Sequence, residues 1–198
     1  MSAIPAAMPV NETSWKVPPR GKVGMLSLIV AESAIFAIFI VAYIFYIGKS
    51  LDGPTPRQIL NVPIFTTICL LSSSFTMHWA VAALRKGKTE AFGAFWFVTL
   101  ALGAIFLIGT GREWHHLIYQ EDFTITTNLF GTTYYSLVGL HASHVLVGLI
   151  VLVTVMVLTL LGKVKQEHSE RCEVISFYWH FVDTVWVVVF TVVYGLGR

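Results

Sequence analysis

The chain has 198 residues, of which 56% are hydrophobic and only 12% charged, with a mean hydropathy of +0.73. A soluble domain carries about 25% charged residues, so this composition excludes an ordinary soluble fold and indicates an integral membrane protein. The net charge of +2 is too small to point to nucleic acid and reads instead as an orientation signal.

Residues 1–22 form a polar tail with Pro5, Pro9, Pro18 and Pro19 and no apolar core of signal-peptide length. Insertion is therefore expected to be directed by the first span. Trp15, Lys16, Arg20 and Lys22 suit a segment lying on the membrane surface. Residues 23–198 then read as one membrane domain. A bilayer takes about 20 apolar residues per helix, and five runs qualify: 23–48, 61–84, 91–111, 132–161 and 174–196. The expected fold is an all-α polytopic bundle of five transmembrane helices.

The first run is interrupted by one charge, Glu32, well inside the span. Phe36, Phe39 and Tyr43 follow it on about the same helical face. An intramembrane carboxylate is a functional candidate by default, so Glu32 is the candidate for a proton-linked role. A neutral structural contact with a neighbouring helix is the alternative. The second run opens on Pro63, which the first turn tolerates. Ser72, Ser73, Ser74 and Thr76 fill its middle, where small hydroxyl residues permit close approach and cross-helix hydrogen bonds. His78 and Trp79 read as interfacial. Gly93, Gly103, Gly109 and Gly111 in the third run predict tight packing. The Glu113-Trp114-His115-His116 stretch after it reads as an amphipathic end.

The fourth run carries His141 and His144, three apart and so on one face. Two histidines with no accompanying carboxylate or cysteine make a weak metal site. After the charged loop 162–173, which includes His168 and Glu173, the fifth run begins Ser176-Phe177-Tyr178-Trp179-His180-Phe181-Val182-Asp183. His180 and Asp183 point the same way and must face protein. The alternatives at that pair are a structural contact in which Asp183 accepts from His180, a metal or haem ligand, or a proton relay. Cys69 and Cys172 form no metal-type spacing, and no disulfide is expected between them.

Nine of the 13 Lys and Arg fall in the tail and the second and fourth loops, and four on the opposite side. The positive-inside rule places the N-terminus in the cytoplasm and the C-terminus outside.

Four stretches in order carry a resemblance. They are Glu32 with its downstream aromatics, Phe123-Thr124-Ile125 with Phe130 to Tyr135, Gly139-Leu140-His141-Ala142-Ser143-His144-Val145, and Glu173 followed by Tyr178 to Asp183. Together they resemble subunit III of the haem–copper terminal oxidases, in its short five-helix bacterial form. Ala142 and Ser143 stand where that family has Gly and Leu, and Leu140 where it has Phe.

The resemblance implies a subunit of cytochrome c oxidase in the bacterial cytoplasmic (inner) membrane that has no cofactor and no catalytic centre of its own. Haem and copper are expected in partner subunits, with subunit I as the main contact, subunit II in the same complex and a respiratory supercomplex as a further setting. It implies bound phospholipid, support of proton uptake and support of complex stability. Glu113, His141, His144, His168, Glu173, Trp179, His180 and Asp183 become structural, lipid-contacting or interhelix positions. The stretch from Glu113 to Ile118 also resembles the quinol-oxidase branch. The competing classes are a bis-His membrane cytochrome and a small transporter coupled through Glu32. The latter lacks the repeat symmetry of such carriers.

Overall fold

A computed structural model describes residues 19–50 and 53–196 of the chain. Five helices are long and apolar enough to cross a membrane. They are α1 (Arg20–Tyr46), α3 (Ile64–Arg85), α4 (Thr89–Tyr119), α5 (Leu129–Leu160) and α6 (Ser169–Phe190), which runs on as a π-helical segment, Thr191–Leu196. A four-residue helix, α2 (Pro56–Ile59), lies between α1 and α3, and a 3₁₀ turn, Gln166–His168, leads into α6. No strand occurs among the described residues. The surface-lying tail expected for 1–22 falls outside them up to residue 18.

Helix lengths exceed the expected spans mainly at α4. The third run was expected to end at 111, and the helix continues to Tyr119. Trp114 and Leu117 pack inward there and carry the amphipathic end as a further two turns of the same helix. At the opposite pole two turns need a left-handed residue. Gly87 (φ 72°) ends α3 and Gly162 (φ 68°) follows α5. In each case the next residue's N–H reaches back to a carbonyl five residues earlier, Lys88 to Ala83 and Lys163 to Leu158.

α3 and α4 form a close antiparallel hairpin. α6 packs against α3, α5 and α1, and α1 lies across α5 and α6. The core is built around large rings: Trp96, Trp179, Trp186, Phe36, Phe92, Phe106 and Tyr134 are each no more than 2% exposed. α1 buries only Phe36 and Tyr43, while Val30, Ile38 and Val41 are 71, 68 and 64% exposed. A helix that is apolar all round and open on most of its surface is stable only with lipid or another protein against it.

Candidate functional site

Three of the places where polar side chains of different helices meet hold the candidate residues of the membrane interior. The first joins α1 to α5. His144 Nε2 lies 3.1 Å from Glu32 Oε2, with side-chain exposures of 13% and 23%. His144 Nδ1 lies 2.8 Å from the Leu140 carbonyl. A carbonyl only accepts, so Nδ1 carries a hydrogen. Nε2 then either accepts from a protonated Glu32 or donates to its carboxylate, and the two arrangements hold the same number of protons. The pair is neutral overall in both. Glu32 has no basic neighbour on its own helix in sequence, and its partner comes from α5. Phe36 stands beside the pair, 4.9 Å from the His144 ring and 6.4 Å from His141.

His141 and His144 do not act together. His144 turns to α1, whereas His141 is fully buried on the other side. Its ring stacks on Trp186 at 4.9 Å and meets Phe106 edge-on at 5.8 Å. Both its ring nitrogens are buried without a hydrogen-bond partner among the described residues. The rings of Trp186, Phe106 and Phe36 surround it. Among the described residues no group of three or more His, Cys, Asp or Glu side chains is placed to hold a metal ion.

The second place is the α3–α6 contact. Trp179 Nε1–H donates to Ser73 Oγ (2.8 Å) and Trp186 Nε1–H to Thr67 Oγ1 (3.1 Å). Between them Ser74 Oγ donates to Asp183 Oδ2, and His180 Nδ1 lies 3.0 Å from Ser74 Oγ. Asp183 does not accept from His180 directly, because Ser74 of the facing helix stands between them. Positions 179, 183 and 186 share one face of α6, and the two helices run antiparallel, so the later tryptophan, Trp186, meets the earlier α3 residue, Thr67, and Trp179 meets Ser73. Ser73 and Ser74 thus form the cross-helix hydrogen bonds expected of the second run, and Thr76 forms another with Thr99 of α4 at 2.7 Å. Asp183 is 3% exposed, and its Oδ1 has no hydrogen-bond partner among the described residues. Ser73 is close to that carboxylate, yet its hydroxyl proton goes to the Leu70 carbonyl at 2.5 Å.

The third place lies at the end of the bundle that carries the C-terminus. Glu113 Oε1 accepts from Tyr194 (3.0 Å) and Tyr134 (3.4 Å). The π-helical segment puts Tyr194 there, and nothing in sequence spacing announces that contact. At the opposite pole Glu173 pairs with Lys22 (3.0 Å) and Arg85 (2.5 Å), joining α1, α3 and α6. His168 caps its own 3₁₀ turn, its Nδ1 accepting from Lys165 N–H at 3.1 Å. His115 and His116 diverge: His115 is exposed and stacks on Tyr119 at 4.7 Å, and His116 lines a cleft between the start of α3 and the end of α4. His78 and Trp79 are both exposed. Sequence reasoning read Lys22 only as a surface residue of the tail and gave no site role to Arg85, Tyr134 or Tyr194; the signal of all four lies in their meeting Glu173 and Glu113 across helices.

Comparison with known proteins gives one consistent result. The family model for cytochrome c oxidase subunit III matches residues 16–198. A protein of Synechocystis, "Cytochrome c oxidase subunit 3", is 38% identical over 182 residues, covering 87% of this chain and 74% of the relative. One of Alkalihalophilus pseudofirmus with the same description is 34% identical over 168 residues, covering 84% and 82%. One of Bacillus subtilis is 33% identical over 190 residues, covering 92% and 90%.

Proposed function

The chain belongs to the cytochrome c oxidase subunit III family, a multi-pass membrane subunit of an oxidoreductase complex, and on that premise we propose that it works there without a cofactor of its own. Haem and copper are assigned to the partner subunits, with subunit I as the main neighbour and subunit II in the same complex, in the bacterial inner membrane. The open face of α1 is assigned to that neighbour and to phospholipid. Cytochrome c, rather than a quinol, is the proposed electron donor, as the names of the relatives favour.

One observation carries the accessory reading. The side chains at the family's motif positions reach to separate partners on facing helices: Glu32 to His144, Trp179 to Ser73, Asp183 to Ser74, and Glu173 to Lys22 and Arg85. Chemistry at a metal needs a converging set of ligands, and these side chains diverge to separate partners. Glu32 remains the proposed proton-linked group, since its bond to His144 holds a proton that either partner can own.

The test is to purify the oxidase, strip this subunit with detergent, and measure haem and copper in both fractions. The stripped complex is expected to keep its full haem and copper and to oxidise cytochrome c, with faster inactivation during turnover. Stoichiometric haem or copper following this chain overturns the reading. Turnover with quinol and none with cytochrome c overturns the choice of donor.

A further inference from the structure

We propose that His180, Ser74 and Asp183 form a proton-holding site within this chain, loaded through His180 and storing the proton on the buried carboxyl group. The hydrogen-bond order fixes the route. Ser74 has one hydroxyl hydrogen and gives it to Asp183 Oδ2, so the contact at 3.0 Å is made by the hydrogen on His180 Nδ1. The row therefore runs from His180 Nδ1–H to Ser74 Oγ–H to Asp183 Oδ2, with every donor pointing inward. His180 Nε2, at the outer end, makes no hydrogen bond among the described residues and is not enclosed.

The proton balance is simple. A proton from water or from an acidic group of the neighbouring subunit binds His180 Nε2. The Nδ1–H bond breaks and its proton goes to Ser74 Oγ. The hydroxyl's former O–H bond breaks and a new O–H bond forms on Asp183. One proton enters, no electrons move, and the imidazole ends as the other tautomer. Release is the same sequence reversed.

A purely structural part for this triad is already supplied by its neighbours. Trp179–Ser73 and Trp186–Thr67 pin α6 to α3 on either side of it with groups that do not titrate near neutral pH. Pinning needs no carboxylate, and a buried Oδ1 without a hydrogen-bond partner among the described residues is the kind of group whose burial is costly while it is charged. The surrounding charges are few. α3 contributes His78, exposed one turn beyond Ser74 and near enough to His180 for their charges to interact. α5 contributes His141, stacked on Trp186, and His144, which is engaged with Glu32 of α1. α4 has no titratable residue between Glu90 and Arg112. Among the described residues no Lys or Arg pairs with Asp183, and the row through Ser74 is its hydrogen-bonded link to a titratable side chain.

The experiment is infrared difference spectroscopy on the purified oxidase, reading the C=O stretch of protonated carboxyl groups across a pH series and after transfer to heavy water. Wild type is compared with Asp183→Asn, Ser74→Ala and Ser74→Thr. We expect a band absent from Asp183→Asn that grows as pH falls and shifts promptly in heavy water. In Ser74→Ala the exchange should slow by about tenfold or more, the rate factor that goes with one lost hydrogen-bonded link. Ser74→Thr, which keeps a hydroxyl, should restore it. If Asp183→Asn does not assemble, the two Ser74 variants still decide. The proposal is overturned by the absence of any such band, by a band that neither titrates nor exchanges, or by equal exchange in Ser74→Ala and wild type.

Discussion

The ring of Trp179 lies against Gly103 of α4 so closely that a Cβ there would fall 2.7 Å from the indole Cη2, and Gly148 of α5 faces the same ring at 2.9 Å. Trp179 is thus the piece on which α4, α5 and α6 close, and its N–H is anchored to α3 through Ser73.

Gly103→Ala should therefore destabilise the bundle by about 1–3 kcal/mol, the usual cost of overpacking a closed core. The neighbours are the indole and Leu149 Cδ2 at 3.0 Å, and the indole cannot turn away without losing its bond to Ser73. Gly111→Ala, at the same helix where nothing lies within 4 Å, should be neutral or slightly stabilising. Thermal inactivation of the purified complex in detergent checks both. Equal melting of the two variants would falsify the packing account.

At the other pole, Glu173 carries two cations of unequal worth. Its own side chain is 16% exposed, Lys22 is 28% exposed and Arg85 53%. Exposed ion pairs contribute about 0–1 kcal/mol, so Arg85→Ala should cost less than Lys22→Ala despite its shorter contact. Lys22 also fixes the start of α1, which has few other buried contacts. Glu173→Gln should loosen α1, seen as faster proteolysis near residue 20, and high salt should narrow its difference from wild type. Loss of Arg85 costing more than loss of Lys22 contradicts this ranking.

Much of this was legible in the sequence, and the reasons differ by residue. The spans follow from length and hydropathy alone, and the serines at 72–74 announce a close polar seam because small hydroxyls in an apolar run serve little else. Phe36 and Tyr43 were readable as the inward face of α1, since the periodicity of a helix sorts faces. Partners across helices were not readable. The i, i+3 spacing of His180 and Asp183 brings them to one face but says nothing of Ser74 coming between them from another helix. The same spacing joins His141 to His144 on paper, whereas a helix 3.6 residues round turns one into the core and the other to α1. The reach of α4 to Tyr119 escaped a hydropathy window because Arg112 and Glu113 lower it, and only the Tyr194 and Tyr134 hydroxyls show why Glu113 is tolerated there.

The orientation expected from the Lys and Arg distribution is open to direct test. The exposed turn at Lys88 lies at the basic pole, and the exposed loop at Thr126 at the other. In a background lacking Cys69 and Cys172, Thr126→Cys should react with an impermeant thiol reagent on intact cells, and Lys88→Cys only after lysis. The reverse pattern would invert the topology and place the nine Lys and Arg of that side outside.

The Glu32–His144 pair makes the final prediction. Because His144 Nδ1 is committed to Leu140, its Nε2 answers to Glu32 alone. Glu32→Gln keeps a donor at that spot, since the amide N–H can give to the bare Nε2 of a neutral imidazole. The oxidase should assemble and retain most of its turnover, with at most a modest fall in proton uptake, clearest at alkaline pH where protons are scarce. Glu32→Ala leaves the imidazole without its partner and His144→Ala leaves the carboxyl without its own. Each should cost about 1 kcal/mol, the low end of the penalty for an unsatisfied polar group, because both side chains are only part-buried. The double variant should cost less than the two together, because only one bond is being removed. Glu32→Lys should be the most damaging, since it sets a cation against a histidine inside the membrane. Oxygen consumption and proton release by the complex in vesicles, with melting of each variant, read all of this. If Glu32→Gln abolishes oxygen reduction in a fully assembled complex, Glu32 lies on the catalytic path and the accessory role fails; if the single and double costs simply add, the two side chains are not paired.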